Sequence, residues 1–286
     1  MPMKVCLIQY NPAYPKVGLL DAYNEVVETY LWGFAALGYA VERRINCFDA
    51  DALNIVFGFS IPYQLGLIDT FPANTIFFNL EQYVGKPLVN TSVHYLACKY
   101  QIWDYSLGNV ACLNALNPKY PVYYAPISYA PVLEKVPAGM EQDIDVLCYG
   151  DLTLERGATV RRVATSRSDL TGLSAMILCN VWGKQRDEFI ARSKVIASVP
   201  RGNIFESVRI SYLLANKKAV VCEHRDEMEI EEDFRHGNPI VASVMEFRNT
   251  CQALVENDAE RTRYAEQGYE LFRQRDIRDV IKRFFG

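Results

Sequence analysis

The segment from residue 201 to residue 209 gathers two cations, a carboxylate and a helix-start signal. Asn203 is a favourable N-cap residue, and Glu206 three positions later has capping-box spacing, so a helix is predicted from residue 204 to about residue 216. The first turn of a helix presents backbone N–H groups at the positive end of its dipole. With Arg201 and Arg209 beside it, such a turn predicts an anion site suited to a diphosphate.

Glu206 complicates this interpretation, because a carboxylate repels phosphate. It could cap the helix, pair with Arg209 three residues later, or accept hydrogen bonds from sugar hydroxyls beside the phosphates. Spacing alone does not separate the structural roles from ligand binding, so both interpretations stay open.

The composition is that of a globular protein large enough for two cores. The chain has 286 residues, of which 50% are hydrophobic and 22% charged. The net charge of −4 argues against a protein that binds nucleic acid through a basic face. The apolar runs are too short to cross a bilayer. A strand-like pattern starts at residue 3, which leaves no room for a signal peptide. Together these two features predict a cytoplasmic protein.

Two series of strand-like apolar runs alternate with helix-like intervals, which is typical of parallel sheets covered by helices. The predicted strands are 3–10, 54–59, 75–80, 101–106 and 122–127, then 143–150, 175–183, 194–200, 219–223 and 239–243. A segment with proline and glycine, residues 131–142, is the expected linker between a domain of residues 1–130 and one of residues 143–275. Residues 276–286 are predicted to form a terminal helix that could cross back to the first domain.

Ligands of open α/β sheets bind at the carboxyl ends of the strands. In this sequence those ends carry polar, aromatic and glycine residues in both domains. The predicted fold is therefore α/β, with two Rossmann-like parallel-sheet domains facing an inter-domain cleft. The expected function is that of an enzyme acting on a small molecule.

Several ordered segments resemble GT-B glycosyltransferases, most closely the family-1-like and CgeB-like members. They are FFNLEQ, IWDYS and APISYAP in the first domain, and DVLCYGDLTLERGATVRRV, VWGKQRDEFIARSKVIASV, FESVRISYLLANKKAVVCE and ALVENDAERTRYAEQGYELF in the second. The resemblance implies a GT-B fold. It also implies a nucleoside-diphosphate sugar of UDP, GDP or dTDP held mainly by the second domain, and a glycan or other hydroxyl acceptor held by the first.

Carried over position by position, the resemblance implies donor contacts at strand ends of the second domain. The positions are Gly150 and Arg156 near the phosphates, Trp182 and Gly183 near the base, and Glu206, Ser207 and Arg209 at the helix start that contains Arg201 and Asn203. Trp182 stands at the end of an apolar run, which favours a core position over stacking on the base.

Many retaining GT-B enzymes carry two glutamates with E-x7-E spacing about this helix. Here Ile204 and Tyr212 stand in their place, whereas Glu223 and Glu231 have the spacing but follow the next strand. The ribose contact and the stereochemistry of transfer are therefore left open.

An inverting reaction needs a base that deprotonates the acceptor hydroxyl. Glu81 is the best-placed carboxylate because it follows an apolar run at a predicted strand end, and Asp104 is second. Alternatively, Glu81 could cap the following helix and Asp104 could hold a loop through Ser106. Tyr105 and Tyr129, beside strand ends, are the aromatic residues expected to contact the acceptor.

Asp49-Ala50-Asp51 is a literal DxD, the metal motif of the other main glycosyltransferase fold. It precedes a strand rather than following one, so it is interpreted as a loop. No metal and no cofactor is expected, since a helix start and arginines can stabilise the charge of the leaving group.

The C-terminal segment LFRQRDIRDVIKRFFG is basic with interspersed apolar residues, so contact with an anionic membrane surface is one interpretation. A terminal helix packed through Phe284 and Phe285 across the two domains is preferred.

Sugar transfer is the leading hypothesis for the function. A nucleotide-sugar epimerase of the same fold and a non-catalytic nucleotide-sugar-binding or assembly protein are the alternatives. A dinucleotide oxidoreductase is disfavoured, because no G-x-G-x-x-G occurs in the sequence.

Overall fold

The chain divides into two compact units. The computed structural model describes residues 3–10, 18–58, 66–82, 95–150, 157–158, 173–200, 205–224, 228, 230–235, 238–243 and 245–286. The first unit is Met1–Val132 with Asp276–Gly286, and the second is Leu133–Arg275. Each contains one parallel sheet with helices, which confirms the predicted α/β fold class.

The first unit contains a six-stranded parallel sheet in the order β2-β1-β3-β4-β5-β6. Its strands are β1 (Lys4–Gln9), β2 (Ala40–Ile45), β3 (Leu53–Phe57), β4 (Thr75–Asn79), β5 (Gln101–Asp104) and β6 (Val122–Tyr124). A 3-10 helix (Gly18–Tyr23) leads into α1 (Asn24–Ala36), and α2 (Leu107–Asn114) follows β5. The order reverses between β1 and β3, which makes this pair the topological switch point of the sheet.

The central strands of this sheet are apolar on both faces because both faces are covered. Val5, Leu7, Ile55 and Phe77, for example, are completely buried. β2 was not predicted, because three consecutive residues of its sequence AVERRI are charged and no apolar run marks it. It is the edge strand, where half-exposed charged side chains are tolerated.

The second unit contains a five-stranded parallel sheet in the order β11-β10-β9-β7-β8. Its strands are β7 (Ile144–Tyr149), β8 (Ala175–Leu178), β9 (Ser193–Ser198), β10 (Ala219–His224) and β11 (Ile240–Ser243). The helices named here are α3 (Gly183–Ala191), α4 (Ser207–Ala215), α5 (Phe247–Glu256) and α6 (Asp258–Arg273). The order reverses between β7 and β9, which is the switch point of this sheet.

The C-terminal helix α7 (Ile277–Phe285) packs within the first unit, against α1. A Cβ atom at Gly33 of α1 would lie 2.9 Å from Cγ2 of Ile277, so the glycine allows the two helices to approach closely. The N–H of Ile277 donates to the carbonyl of Tyr129 at 3.1 Å. Phe284 stacks on Trp103 with ring centroids 4.2 Å apart, so Phe284 packs inside the first unit.

No helix in the described part of the chain is both long enough and apolar enough to cross a membrane.

Candidate functional site

A cation, a carboxylate and an aromatic ring meet at the switch point of the second sheet. Arg209, in the first turn of α4, pairs through Nη1 with the carboxylate of Glu206. Its guanidinium carbon lies 5.1 Å from the ring centroid of Tyr149, the last residue of β7. Ser198, the last residue of β9, donates from Oγ to Oε2 of Glu206 at 3.5 Å. Three separate elements therefore hold Arg209 and Glu206 in place.

The predicted capping box at this helix start is wrong. Phe205 and Glu206 are not helical, and α4 begins at Ser207 with Glu206 in the N-cap position and no capping bond from its side chain. The carboxylate accepts a hydrogen bond from Arg209, so the pairing with the arginine three residues later, one of the interpretations left open, is present. Asn203, the residue expected to cap the helix, lies outside the described residues.

At this helix start, the side chain of Arg209 is a better anion contact than the backbone amides of the first turn, not all of which have a free N–H. The side chain of Arg209 is 16% exposed and already held, so little of its conformational freedom is left to lose when a ligand binds. The N–H of Ser207 donates to the carbonyl of Phe205 at 2.8 Å, which removes one donor of the first turn from a ligand. Ser207 itself is buried.

The other donor candidates lie at the ends of β7 and β8. Gly150 has φ +123°, a conformation that favours glycine, and its N–H donates to the carbonyl of Leu178 at 3.0 Å. The core position favoured for Trp182 is wrong: β8 ends at Leu178, and Trp182 is the N-cap residue of α3 with 37% exposure. Gly183, with φ +57°, begins that helix. Arg156 and Arg201 lie outside the described residues.

A buried network of amides and one carboxylate occupies the carboxyl ends of β4 and β5. Asp104, the last residue of β5, is completely buried. It accepts hydrogen bonds from Nδ2 of Asn79 at 2.6 Å, from the N–H of Ser106 at 2.8 Å and from Nδ2 of Asn109 at 3.1 Å. The same two amide groups donate to the carbonyl of Glu81, at 3.0 Å from Asn79 and 2.9 Å from Asn109.

Asp104 therefore holds the loop after β5 through the N–H of Ser106, as the loop-holding alternative predicted. It also orients the amides of Asn79 and Asn109, which bond the carbonyl of Glu81. Burial raises the pKa of Asp104 to about 7, against hydrogen bonds that act in the opposite direction. A general base must reach the proton that it accepts. Because Asp104 is completely buried and its oxygens are engaged, the structure argues against the direct catalytic role predicted for it as the second candidate.

Glu81 is only partly buried, two residues beyond β4, and its side chain has a defined partner. The hydroxyl of Tyr23 donates to Oε1 of Glu81 at 2.9 Å. Burial, followed by the charge of Glu81, raises the pKa of Tyr23 well above its usual value, so the phenol remains a donor. The alternative in which Glu81 caps a helix concerns residues 83–94, which lie outside the described residues.

The two tyrosines expected to contact an acceptor are placed differently. Tyr105 is 3% exposed, so its assignment to a ligand surface is wrong, because the residue directly after Asp104 is still within the packed interior. Tyr129 is half-buried, and its backbone bridges to Asp276 at the start of the C-terminal helix.

Sequence reasoning missed five residues of these two networks: Tyr23, Asn79, Asn109, Tyr149 and Ser198. Three of them, Asn79, Tyr149 and Ser198, end the observed strands and lie one or two residues before the ends of the predicted ones. A search that covered the last three residues of each predicted strand would have included them. Tyr23 and Asn109 lie in helical segments distant from the strand ends in sequence, and only the tertiary structure brings them there.

One group in the described part of the chain offers three metal-ligating side chains. Ligand atoms of Cys6, Glu42 and Asp49 lie within 4.8 Å of one another. Nζ of Lys4 is 3.0 Å from Glu42 and 2.8 Å from Asp49, so an ammonium group already compensates both carboxylates. Burial raises the pKa of the Cys6 thiol to about 11, and metal ligation needs the thiolate. These residues therefore do not fit a metal site.

Comparisons with known proteins identify the architecture. No model of a known protein family matches this chain, and no curated protein does. Solved structures do. The structure of Anabaena Alr3699/HepE in complex with UDP and glucose matches with a TM-score of 0.62 at 10% identity, over 99% of each chain. The chain has the GT-B fold.

Two further matches have the same fold. T4 phage BGT in complex with UDP and Mn2+ has a TM-score of 0.62 at 12% identity, covering 98% of this chain and 99% of that chain. A structure described as the DNA modifying enzyme beta-glucosyltransferase, in the presence and absence of its substrate uridine diphosphoglucose, has a TM-score of 0.62 at 10% identity with the same coverage.

These matches correct two expectations. The prediction that no metal and no cofactor is involved is contradicted by the T4 phage BGT structure, which was solved in complex with UDP and Mn2+. The exclusion of nucleic acid also loses its support, since one protein of this fold is described as a DNA modifying enzyme. A net charge of −4 describes the whole surface and does not exclude a local binding face.

Proposed function

We propose that this protein transfers a sugar from a nucleoside-diphosphate sugar to a hydroxyl group of a glycan or another acceptor, as a hexosyl- or related transferase. The observation that carries the proposal is the placement of Arg209, held by Glu206 and Tyr149 at the switch point of the second sheet. Structures of the same fold solved with UDP and with UDP-glucose support this donor class.

Arg209 is assigned to the donor diphosphate. When the sugar leaves, negative charge develops on the diphosphate oxygen, and a guanidinium fixed in advance stabilises that charge without having to reorganise. The ring of Tyr149 and the carboxylate of Glu206 fix it here. The positive end of the α4 dipole adds to the same field.

Glu81 is assigned to the acceptor as general base. It takes the proton of the acceptor hydroxyl while the acceptor oxygen bonds to the anomeric carbon, and the bond from that carbon to the diphosphate oxygen breaks with inversion. Of the two carboxylates considered for this role, Glu81 is the partly exposed one, whereas Asp104 is completely buried.

A donor screen followed by a transfer assay tests the proposal. Thermal shift with UDP-, GDP- and dTDP-sugars should select one nucleotide, because a ligand at 100 times its Kd stabilises the native state by about 2.7 kcal/mol. The selected donor should then release nucleoside diphosphate only when an acceptor is added. Assays are run with and without Mn2+, and DNA is included among the acceptors.

The other outcomes identify the rival functions. Formation of an epimeric sugar nucleotide without any acceptor would indicate an epimerase. Stabilisation by a sugar nucleotide without turnover, across acceptors and with Mn2+ present, would indicate a binding protein.

A further inference from the structure

A glycine at the switch point of the first sheet makes room for an aromatic ring. Gly58 directly follows β3, has φ +75°, and its N–H donates to the carbonyl of Phe78 in β4 at 3.2 Å. A Cβ atom at this position would lie 2.5 Å from Cε2 of Tyr23. Both the backbone conformation and the close approach of the ring therefore require glycine.

The hydroxyl group of the ring that occupies this space contacts the carboxylate of Glu81. Tyr23 precedes α1, packs over Gly58, and donates its hydroxyl proton to Oε1 of Glu81 at 2.9 Å. The fold thus brings together residues from three separate segments of the chain around one carboxylate. Tyr23 has no other hydrogen-bond partner in the described part of the chain.

The backbone of Glu81 is fixed independently of its side chain. Its carbonyl accepts hydrogen bonds from Asn79 and Asn109, and its N–H donates to Oδ1 of Asn79 at 2.9 Å. With the backbone held by amides and Oε1 held by the phenol, the carboxylate has one oxygen left, Oε2. Within the described residues no hydrogen bond or ion pair reaches that oxygen.

We propose that Tyr23 is a positioning residue for the base: its phenol holds Oε1 of Glu81 so that Oε2 is presented to the acceptor hydroxyl, and Gly58 gives the phenol its place. The role rests on the proposed function. A carboxylate free to rotate samples several side-chain conformations, and a base acts only in those that reach the proton.

Tyr23→Phe tests the role, because it keeps the ring over Gly58 and removes only the hydroxyl. We expect kcat to fall about tenfold, the size expected for one hydrogen bond to a charged group, with the KM for the donor and the melting temperature nearly unchanged. The matched control is Tyr39→Phe, which removes another phenol of the first unit, one that lies 3.5 Å from the carbonyl of Phe285. The control should retain full turnover.

Gly58→Ala provides the second variant. The new Cβ displaces the ring, so kcat should fall at least as far as in Tyr23→Phe. In the Tyr23→Phe background the same substitution should cost much less turnover, because the hydroxyl whose position it disturbs is already absent. Additive losses in the two backgrounds would show that Gly58 acts by another route.

A measurement without turnover tests the contact itself. With Cζ-labelled tyrosine, the NMR signal that disappears in Tyr23→Phe should move in Glu81→Gln and stay in place in Asp279→Asn, an exposed carboxylate of the same unit. If the chemical shift of this signal does not change in Glu81→Gln, the contact between Tyr23 and Glu81 is refuted.

The outcomes separate this inference from the proposed function. A wild-type protein that turns over no sugar nucleotide refutes the proposed function, and the positioning role of Tyr23 with it. Normal turnover in wild type and undiminished kcat in Tyr23→Phe refutes the positioning role alone.

Discussion

The two sheets use tyrosine in opposite ways at their carboxyl ends. In the first unit the hydroxyl of Tyr23 donates to the carboxylate of Glu81, and in the second unit the ring face of Tyr149 receives the guanidinium of Arg209. The hydroxyl of a tyrosine stabilises negative charge by donating a hydrogen bond, and the face of its ring stabilises positive charge. One residue type thus supports an anionic group in one sheet and a cationic group in the other.

The two charged groups also differ in how far they are compensated. Arg209 already has a carboxylate partner in Glu206, whereas in the described part of the chain no lysine or arginine pairs with Glu81. A carboxylate without a cation partner can contact a neutral hydroxyl without first giving up an ion pair. An arginine with a carboxylate partner is fixed in position, and an incoming anion must share it. The difference suits a base in the first unit and a preorganised anion contact in the second.

The largest effect is expected for Glu81→Gln. The substitution keeps the size of the side chain and an acceptor oxygen but removes its basicity, so turnover should fall about 10²–10⁴-fold. UDP affinity by calorimetry and the melting temperature should hardly change. Asp69→Asn, an exposed carboxylate of the same unit, is the control. A product with the same anomeric configuration as the donor would leave Glu81 without a role as base, whatever the variant does.

Asp104 should give a pH dependence of stability rather than a direct loss of chemistry. Its pKa of about 7 in the folded protein lies above the unfolded value near 3.9, so the folded state binds more protons between about pH 4 and 7. Stability should therefore fall as the pH rises through this window and level off above it, with about 4 kcal/mol as the upper bound of the Asp104 contribution.

Asp104→Asn removes this titration. Urea unfolding at pH 5 and pH 8 should show a smaller decrease in the variant than in wild type, and the difference between the two isolates Asp104 from the other titrating groups. Equal slopes would mean that the carboxyl group is not protonated in the folded protein at pH 5.

Arg209→Ala should weaken UDP binding about 10–100-fold, equivalent to about 1.5–3 kcal/mol for one charge-assisted contact. The chain offers a close control in Arg263. That residue pairs with Glu260 at 2.6 Å, also three positions apart, and lies 4.4 Å from the ring centroid of Tyr264, but on the exposed surface of α6. Arg263→Ala should leave UDP affinity intact. Equal affinities of the two variants and wild type would remove Arg209 from the donor site.

The sequence is a good guide to the sheets and a poorer one to the site. Buried strands such as β1 and β9 are readable because a strand covered on both faces must be apolar, whereas β2 is charged and was missed. Glu81 and Arg209 were recognisable as charged residues beside a strand end and a helix start. Their contacts with Tyr23 and Tyr149 were not recognisable, because a hydrogen bond or ring contact between distant segments leaves no spacing in the sequence, even though Tyr149 itself lies at a strand end.

The smallest effect on UDP affinity is expected for Glu206, the carboxylate that pairs with Arg209 in the second unit. Its carboxylate is engaged by Arg209 and lies 3.5 Å from Oγ of Ser198. Glu206→Gln removes repulsion towards a diphosphate but also loosens Arg209. Because these effects oppose each other, UDP affinity should change by less than about threefold, a difference of roughly 0.7 kcal/mol.

Uridine, which lacks the phosphates, distinguishes this structural role from a contact with the ribose. If Glu206 only holds Arg209, its replacement should leave uridine affinity unchanged, because uridine has no phosphate for Arg209 to contact. If Glu206 accepts hydrogen bonds from the ribose hydroxyls, uridine and UDP should both lose about tenfold or more, since each bond to a charged acceptor contributes about 1.5–3 kcal/mol. Parallel losses for the two ligands would make Glu206 a donor contact and leave Tyr149 as the group that holds Arg209.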